Sequence, residues 1–295
     1  MQTGVLLGFL GYFIYACSDA LIKALGPSLP VFEIAFFTAL FALIPALFTK
    51  RREDDWGAIF VPRNKTLVAV RMTSGTIGGL LAVVAFTTLP LAEAYALIFL
   101  LPIFVTVLSA IFLGETIGWK RRVAVVVGLL GVILVVRPGF REILPGHLAA
   151  VGCALCGAVT VIVLRKLGPT ERRITLIGSV IVASIAVNGV LMIPTFVMPS
   201  PEIFHLMVGA GICAGLGHLI QVFATRAAPA NRVAPTQYSQ IIWAAVIGAS
   251  FFGEVPDLVG ILGMALVGTA GLFTFLREEE RFKWSWRTPL VRNRI

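Results

Sequence analysis

Few ionisable residues interrupt the long apolar runs of this sequence, and those few are the groups that could do chemistry. Asp19 and Lys23 stand four residues apart in the first run, Arg71 lies in the third, and Glu93 opens the fourth. A charge at the centre of a lipid-embedded helix costs at least about 2.5–3.5 kcal/mol on insertion scales, so such groups pair or face a wet cavity. On a helix, Asp19 and Lys23 share one face in i,i+4 geometry. Two readings stay open for them: a structural ion pair, or a site where Asp19 exchanges Lys23 for a charged solute or a proton. Glu93 enters its run at a depth similar to that of Asp19 and is the second candidate for proton or ion coupling. Arg71 can hold a carboxylate or phosphate bidentately, cap a helix, or snorkel to lipid phosphates.

A second group is polar and aromatic: Tyr12, Tyr15, Ser74, Thr160, His218, Gln221, Gln237, Tyr238, Gln240 and Trp243. Rings of this kind can sandwich a flat or apolar part of a solute, although packing alone also explains any single one. His218 is equally suited to helix–helix hydrogen bonding and to proton relay. Pro102 and Pro235 can free backbone groups near the site. Glu115 and Glu254 each follow a Gly, where capping of the next helix, interfacial anchoring or a hinge role is expected. No HExxH and no phosphate-binding loop of the GxxxxGK type occurs, and the three histidines are scattered, so neither metal nor cofactor is expected. Cys153 and Cys156 have CxxC spacing without a second pair, which reads as packing.

The elements that must position these residues are set by composition. Apolar residues make up 58% of the 295 positions and charged residues only 13%, and the mean hydropathy is +0.94. So little charge cannot coat a soluble fold of this size, so lipid is the expected solvent. Ten runs are long enough to span it, near 4–24, 31–49, 66–88, 91–113, 119–136, 146–167, 173–196, 204–225, 233–252 and 257–276. The net charge of +9 is carried by short loops and the tail, which argues against nucleic acid. Twenty Lys and Arg residues fall on one side of the expected membrane and three on the other. That bias predicts both termini in the cytoplasm. The segment after Leu276 is expected to be a solvated basic tail or to lie on anionic lipid.

The chain also echoes itself. Residues 4–26 align with 146–168 at an offset of 142, and Pro90–Glu115 with Pro229–Glu254 at an offset of 139. Both later stretches end in Gly-Glu, as Gly114-Glu115 and Gly253-Glu254. Five spans per half is an odd number, so the halves must face opposite ways, the plan of many carriers.

Several motifs together resemble the drug/metabolite transporter superfamily, in its branch of ten-helix permeases with paired EamA domains. They are Pro90-Leu91-Ala92-Glu93-Ala94, Leu101-Pro102-Ile103-Phe104-Val105, Phe112-Leu113-Gly114-Glu115, Gly118-Trp119-Lys120-Arg121, and Gly253-Glu254-Val255-Pro256. Asp19-Ala20-Leu21-Ile22-Lys23 and Arg71 are similar to one branch of that family. Thr38 after Phe36-Phe37 departs from it, since an Arg often stands there. The resemblance implies a carrier for small metabolites such as amino acids, S-adenosylmethionine or riboflavin.

The expected fold is an all-α integral membrane protein of ten transmembrane helices, two inverted five-helix repeats around a central cavity. The expected domains are 1–140, 141–276 and a cytoplasmic tail, 277–295. The expected function is secondary transport of a small organic metabolite by alternating access, across the inner membrane of a bacterium. The rival readings are an intramembrane enzyme and a non-transporting membrane subunit. The expected partners are the solute and the bilayer, with a homodimer as one open arrangement.

Overall fold

The computed structural model describes residues 2–48, 56–114, 118–137, 142–167 and 171–287. Every regular element among them is helical. The helices are α1 (Gln2–Leu25), α2 (Val31–Leu47), α3 (Lys65–Thr88), α4 (Leu91–Ile98), α5 (Leu101–Leu113) and α6 (Trp119–Val136). They continue as α7 (Pro145–Leu167), α8 (Arg173–Met192), α9 (Pro201–Ala227), α10 (Ala230–Val233), α11 (Ser239–Phe252) and α12 (Leu258–Arg287). Short 3-10 turns follow α8 at Ile193–Thr195 and α10 at Ala234–Tyr238. Among the described residues, six segments are long and apolar enough to cross a membrane, counting Leu91–Leu113 as one. Three more apolar helices are shorter: Val31–Leu47, Arg122–Val136 and Leu258–Phe273.

Local chemistry sets the boundaries. Asn64 Oδ1 caps α3 by accepting from Leu67 N at 3.0 Å, and Ser200 Oγ caps α9 through Ile203 N at 3.4 Å. Pro30 and Pro90 stand just before α2 and α4, where a missing N–H costs nothing. Gly114 closes α5 at φ 65° and Gly253 closes α11 at φ 66°, a left-handed turn that glycine adopts without a Cβ clash. Pro102 sits in the first turn of α5 and has no N–H for the α4 carbonyls, so the segment 91–113 breaks in two. Pro235 has the same effect in the 3-10 turn between α10 and α11. The expected boundaries of the other segments agree to within a few residues, and α12 runs on as helix into the expected tail, to Arg287.

The closest helix pairings are α1 with α9, α3 with α7, α6 with α12, and α2 with α9. Small residues allow them. A Cβ on Gly131 of α6 would lie 2.8 Å from the Gly263 carbonyl of α12. One on Gly4 would strike Ala228 at the end of α9, and one on Gly146 would strike Thr88 and Leu89 at the end of α3. Gly78 packs on Cys156, so that cysteine serves the α3–α7 contact. The main core gathers Leu25, Ile34, Leu89, Leu91, Leu97 and Met207, while Phe48, Phe60, Ile111, Phe112, Phe251 and Val255 project outward. Outward apolar side chains suit a lipid surround.

Candidate functional site

Asp19 sits on α1, two turns before its end, and remains partly accessible. The Tyr95 hydroxyl of α4 donates to Asp19 Oδ2. Gln240 Nε2, in the first turn of α11, donates to the Tyr95 oxygen at 3.1 Å. Asp19, Tyr95 and Gln240 thus form one polar chain across three helices. Rings surround it. Phe86 and Tyr95 lie 5.3 Å apart, Tyr95 and Phe99 6.1 Å, and Phe99 stacks on Tyr238 at 5.1 Å. The Tyr238 hydroxyl points at Gly271 of α12, where a Cβ would approach it to 2.6 Å.

Lys23 does not pair with Asp19, although the spacing permits it. Its Nζ is 2.7 Å from Glu254 Oε1 and donates to the Leu89 carbonyl at 2.7 Å. The Phe252 ring lies 5.5 Å from the same nitrogen. Glu254 Oε2 in turn accepts from Leu91 N at 3.0 Å, capping α4. The physical reason is supply: Asp19 already has a hydroxyl donor, while the end of α3 and the turn after α11 offer Lys23 a carboxylate and an orphan carbonyl together. Glu254 therefore caps a helix, but α4 rather than the next one in the chain. Glu115, its counterpart, lies outside the described residues.

Three further ties join loops and helix ends. Glu93 Oε1 of α4 meets His147 Nε2 of α7 at 2.9 Å. Arg137, in a left-handed conformation at φ 50°, binds Asp257 just before α12. Glu33, fully buried in the first turn of α2, accepts from Val197 N at 3.1 Å.

The other candidates form separate groups. Ser74 of α3 and Thr160 of α7 share a hydrogen bond of 2.9 Å. Arg71 Nε donates to the Leu176 carbonyl of α8 at 2.8 Å, and its Nη1 is buried without a partner among the described residues. His218 Nε2 and Trp243 Nε1 are buried in the same condition. Trp243 packs edge-on against Phe13 at 5.0 Å, Tyr12 and Tyr15 stand 6.2 Å apart, and Tyr15 covers Gly217. Gln221 Nε2 donates to the Gly8 carbonyl at 3.1 Å, tying α9 to α1. Gln237 and Pro235 lie in the 3-10 turn that leads Gln240 into place.

Sequence reasoning missed Tyr95, His147 and Glu33. Tyr95 lies two residues after Glu93 in a run dominated by Ala and Leu, and nothing local ties it to Asp19, 76 residues away. Among loop groups, Glu171 accepts from Arg63 N at 2.8 Å, Asn64 N at 3.3 Å and Arg172 N at 3.1 Å. Burial pushes its carboxyl up, but those N–H groups and the Arg63 charge outweigh burial and hold it below its ordinary value of 4.5.

Comparison with known proteins accords with this architecture. Residues 2–137 match the model of the EamA-like transporter family. The chain is 30% identical over 279 residues to the pseudopaline exporter CntI of Pseudomonas aeruginosa, covering 92% of this chain and 95% of that protein. It is 26% identical over 287 residues to the S-adenosylmethionine uptake transporter of Rickettsia felis, covering 94% of each. A crystal structure of 17% sequence identity superposes with a TM-score of 0.64 over 95% of this chain and 99% of that one, a likeness of fold. Apolar helices of spanning length and these relatives agree: the chain belongs to the EamA-like transporter family, and is an integral membrane transporter rather than an enzyme.

Proposed function

We propose that the chain is a secondary carrier that moves a small organic metabolite across the bacterial inner membrane by alternating access. In this reading two five-helix halves, 1–140 and 141–276, lie in opposite orientation about a central pathway. The segment 277–295 and both termini are cytoplasmic. The ten spans are α1, α2, α3, α4 with α5, α6, α7, α8, α9, α10 with α11, and α12.

The broken segments support the repeat. Shifted by 139, α4 and α5 fall on α10 with its 3-10 turn and on α11, and Gly114 falls on Gly253. Gly4 against the end of α9 answers Gly146 against the end of α3. Phe99 and Tyr238 occupy the same place in each half and stack on one another at 5.1 Å.

The observation that carries the function is the Asp19–Tyr95–Gln240 chain. It joins α1 and α4 of one half to α11 of the other at membrane depth. Intramembrane carboxylates carry an insertion cost and commonly mark solute or proton pathways, and this one is shared between helices of both halves. The relatives' named cargoes, pseudopaline and S-adenosylmethionine, fit a solute of amino-acid, nucleoside-derivative or vitamin-like size. The Lys23–Glu254 tie spans the two halves about one helical turn above Asp19 and serves as the closure of that end. Saturable counterflow of a labelled metabolite in proteoliposomes, with accumulation dependent on unlabelled solute inside, tests the reading. A linear, non-saturating flux would point to a channel, and no flux for any metabolite that stabilises the protein would point to a non-transporting subunit.

A further inference from the structure

Asp19 and Lys23 could neutralise each other, and the fold keeps them apart. Lys23 Nζ is spent on Glu254 Oε1 and on the Leu89 carbonyl, each at 2.7 Å, with the Phe252 ring 5.5 Å away. Arg71 stands eighteen residues before Leu89 on α3, about 27 Å along the axis toward the opposite end. Its Nε donates to the Leu176 carbonyl. Asp19 is therefore a carboxylate at membrane depth with no cationic partner among the described residues. Its protein ligand is neutral, the Tyr95 hydroxyl at Oδ2. Oδ1 takes no hydrogen bond from the described residues, and the side chain remains partly accessible.

The surroundings favour a positive guest. Tyr15 and Tyr12 stand four and seven residues before Asp19 on the same face of α1, with ring centroids 6.2 Å apart. On the α4 side, the Tyr95 and Phe99 rings stack with planes 28° apart, and Phe99 stacks on Tyr238 at 27°. Aromatic faces carry negative potential, so they attract cations and repel anions. Gln240 Nε2 donates to the Tyr95 oxygen at 3.1 Å, which leaves the hydroxyl proton aimed at Asp19. A carboxylate at this depth is neutralised by a proton or by a cation from outside the protein. Only the cation also uses the rings.

We infer that Asp19 anchors a cationic head group, and that the transported solute carries a protonated amine or a quaternary ammonium. The inference deepens the carrier reading and rests on it. The head group pairs with Asp19 Oδ1 while Tyr95 keeps Oδ2. The apolar body of the solute lies along the Tyr15 and Tyr12 rings. Lys23, held on Glu254 one turn above, neither competes for the carboxylate nor lets the cation pass the closed end.

The test uses full-length protein in neutral detergent, with ionic strength held constant by sodium chloride. It is titrated with phenethylamine, phenethyl alcohol and phenylacetate, which are similar in size and respectively cationic, neutral and anionic at pH 7. Choline is compared in the same way with dimethylbutanol, its neutral carbon isostere. Thermal stability is the readout, since a ligand of the folded state raises Tm by mass action. A saturable rise with at least one of the two cations is expected, with at least tenfold weaker apparent affinity for its neutral counterpart and for phenylacetate. Asp19→Asn should weaken cation binding at least tenfold and remove the preference for charge. Asp19→Glu should restore part of it, and Tyr15→Ala should weaken it a few-fold. No saturable rise with either cation overturns the inference. So does equal affinity for the neutral counterparts, or unchanged cation affinity in Asp19→Asn. If Asp19→Asn does not fold, Asp19→Glu decides, because moving the charge by one methylene must shift the cation affinity at least a few-fold, and no shift overturns the inference. Binding is read without transport, so the two failures are distinguishable. Saturable counterflow of a neutral or anionic metabolite with no cation effect removes the head-group assignment and leaves the carrier. Cation binding without counterflow of any solute removes the carrier and, with it, the transported cation.

Discussion

At the scale of single residues, the arrangement turns on which group satisfies which. Asp19 is held by the Tyr95 hydroxyl, itself held by Gln240. Asp19→Asn keeps the size of the side chain and removes the charge, so it should fold normally and lower the maximal counterflow rate at least about tenfold, the loss of one charge-assisted interaction of 1.4 kcal/mol or more. Tyr95→Phe leaves Asp19 charged but without that donor and should give a smaller, few-fold loss in the same assay. Full counterflow by Asp19→Asn at every pH would remove Asp19 from the mechanism. Glu171 makes a different prediction, about stability. Its folded pKa lies below the ordinary value of 4.5. A depressed carboxylate stabilises the fold above the unfolded pKa, and the contribution is lost as pH falls through the folded one. Wild-type protein should therefore melt above Glu171→Gln at pH 7, and the difference should begin to shrink near pH 4.5 and vanish only below the lower folded pKa, by thermal scans in detergent. The types of these residues were readable beforehand, and Asp19, Gln240 and Tyr238 were singled out from the sequence. Their partners were not, because Tyr95, Leu176 and Glu254 reach their contacts across 76, 105 and more than 200 positions of chain.

At the scale of elements, the broken segments do most to shape the site. An unbroken helix over 91–113 would carry Tyr95 and Phe99 past the seam in regular succession. The interruption before Pro102 lets α4 meet α7 and α11 while α5 packs on α7. The turn after α11 is equally specific. Gly253 reverses the chain in the left-handed region and delivers Glu254 to Lys23 and to the first turn of α4. Removing either charge leaves the other half-buried and unpaired, so Lys23→Met and Glu254→Gln should each destabilise the protein by about 1–3 kcal/mol. The double variant should cost less than the sum, with a coupling of about 0.5–3 kcal/mol in a double-mutant cycle by denaturant or thermal unfolding. Strict additivity would mean that the two side chains do not cooperate in closing this end. Helix existence and approximate limits were legible from apolar run length, Pro and Gly. The split of 91–113 was signalled by Pro102 but needed neighbours to take up the freed groups.

At the scale of the whole molecule, α1 packs on α9 and α3 on α7, so early and late parts of the chain share their main helix contacts. The carrier reading requires a defined sidedness. With the four native cysteines replaced, Met198→Cys, at a position 82% exposed, should react with a membrane-impermeant thiol reagent added to intact cells. Lys65→Cys, at the start of α3, should react only after the cells are opened. The opposite pattern would invert the topology, and labelling of both from outside would break the alternation of spans. The sequence alone determined the solvent, the helical class and the family, because hydropathy, chain length and glycine–proline punctuation are local properties that survive without coordinates. Only the tertiary structure decided that Lys23 closes on Glu254, that Tyr95 holds Asp19, and that Arg71 binds the Leu176 carbonyl. Those pairings depend on which helices become neighbours, and i,i+4 spacing within one helix shows only which contacts are possible, not which acceptor is the better one.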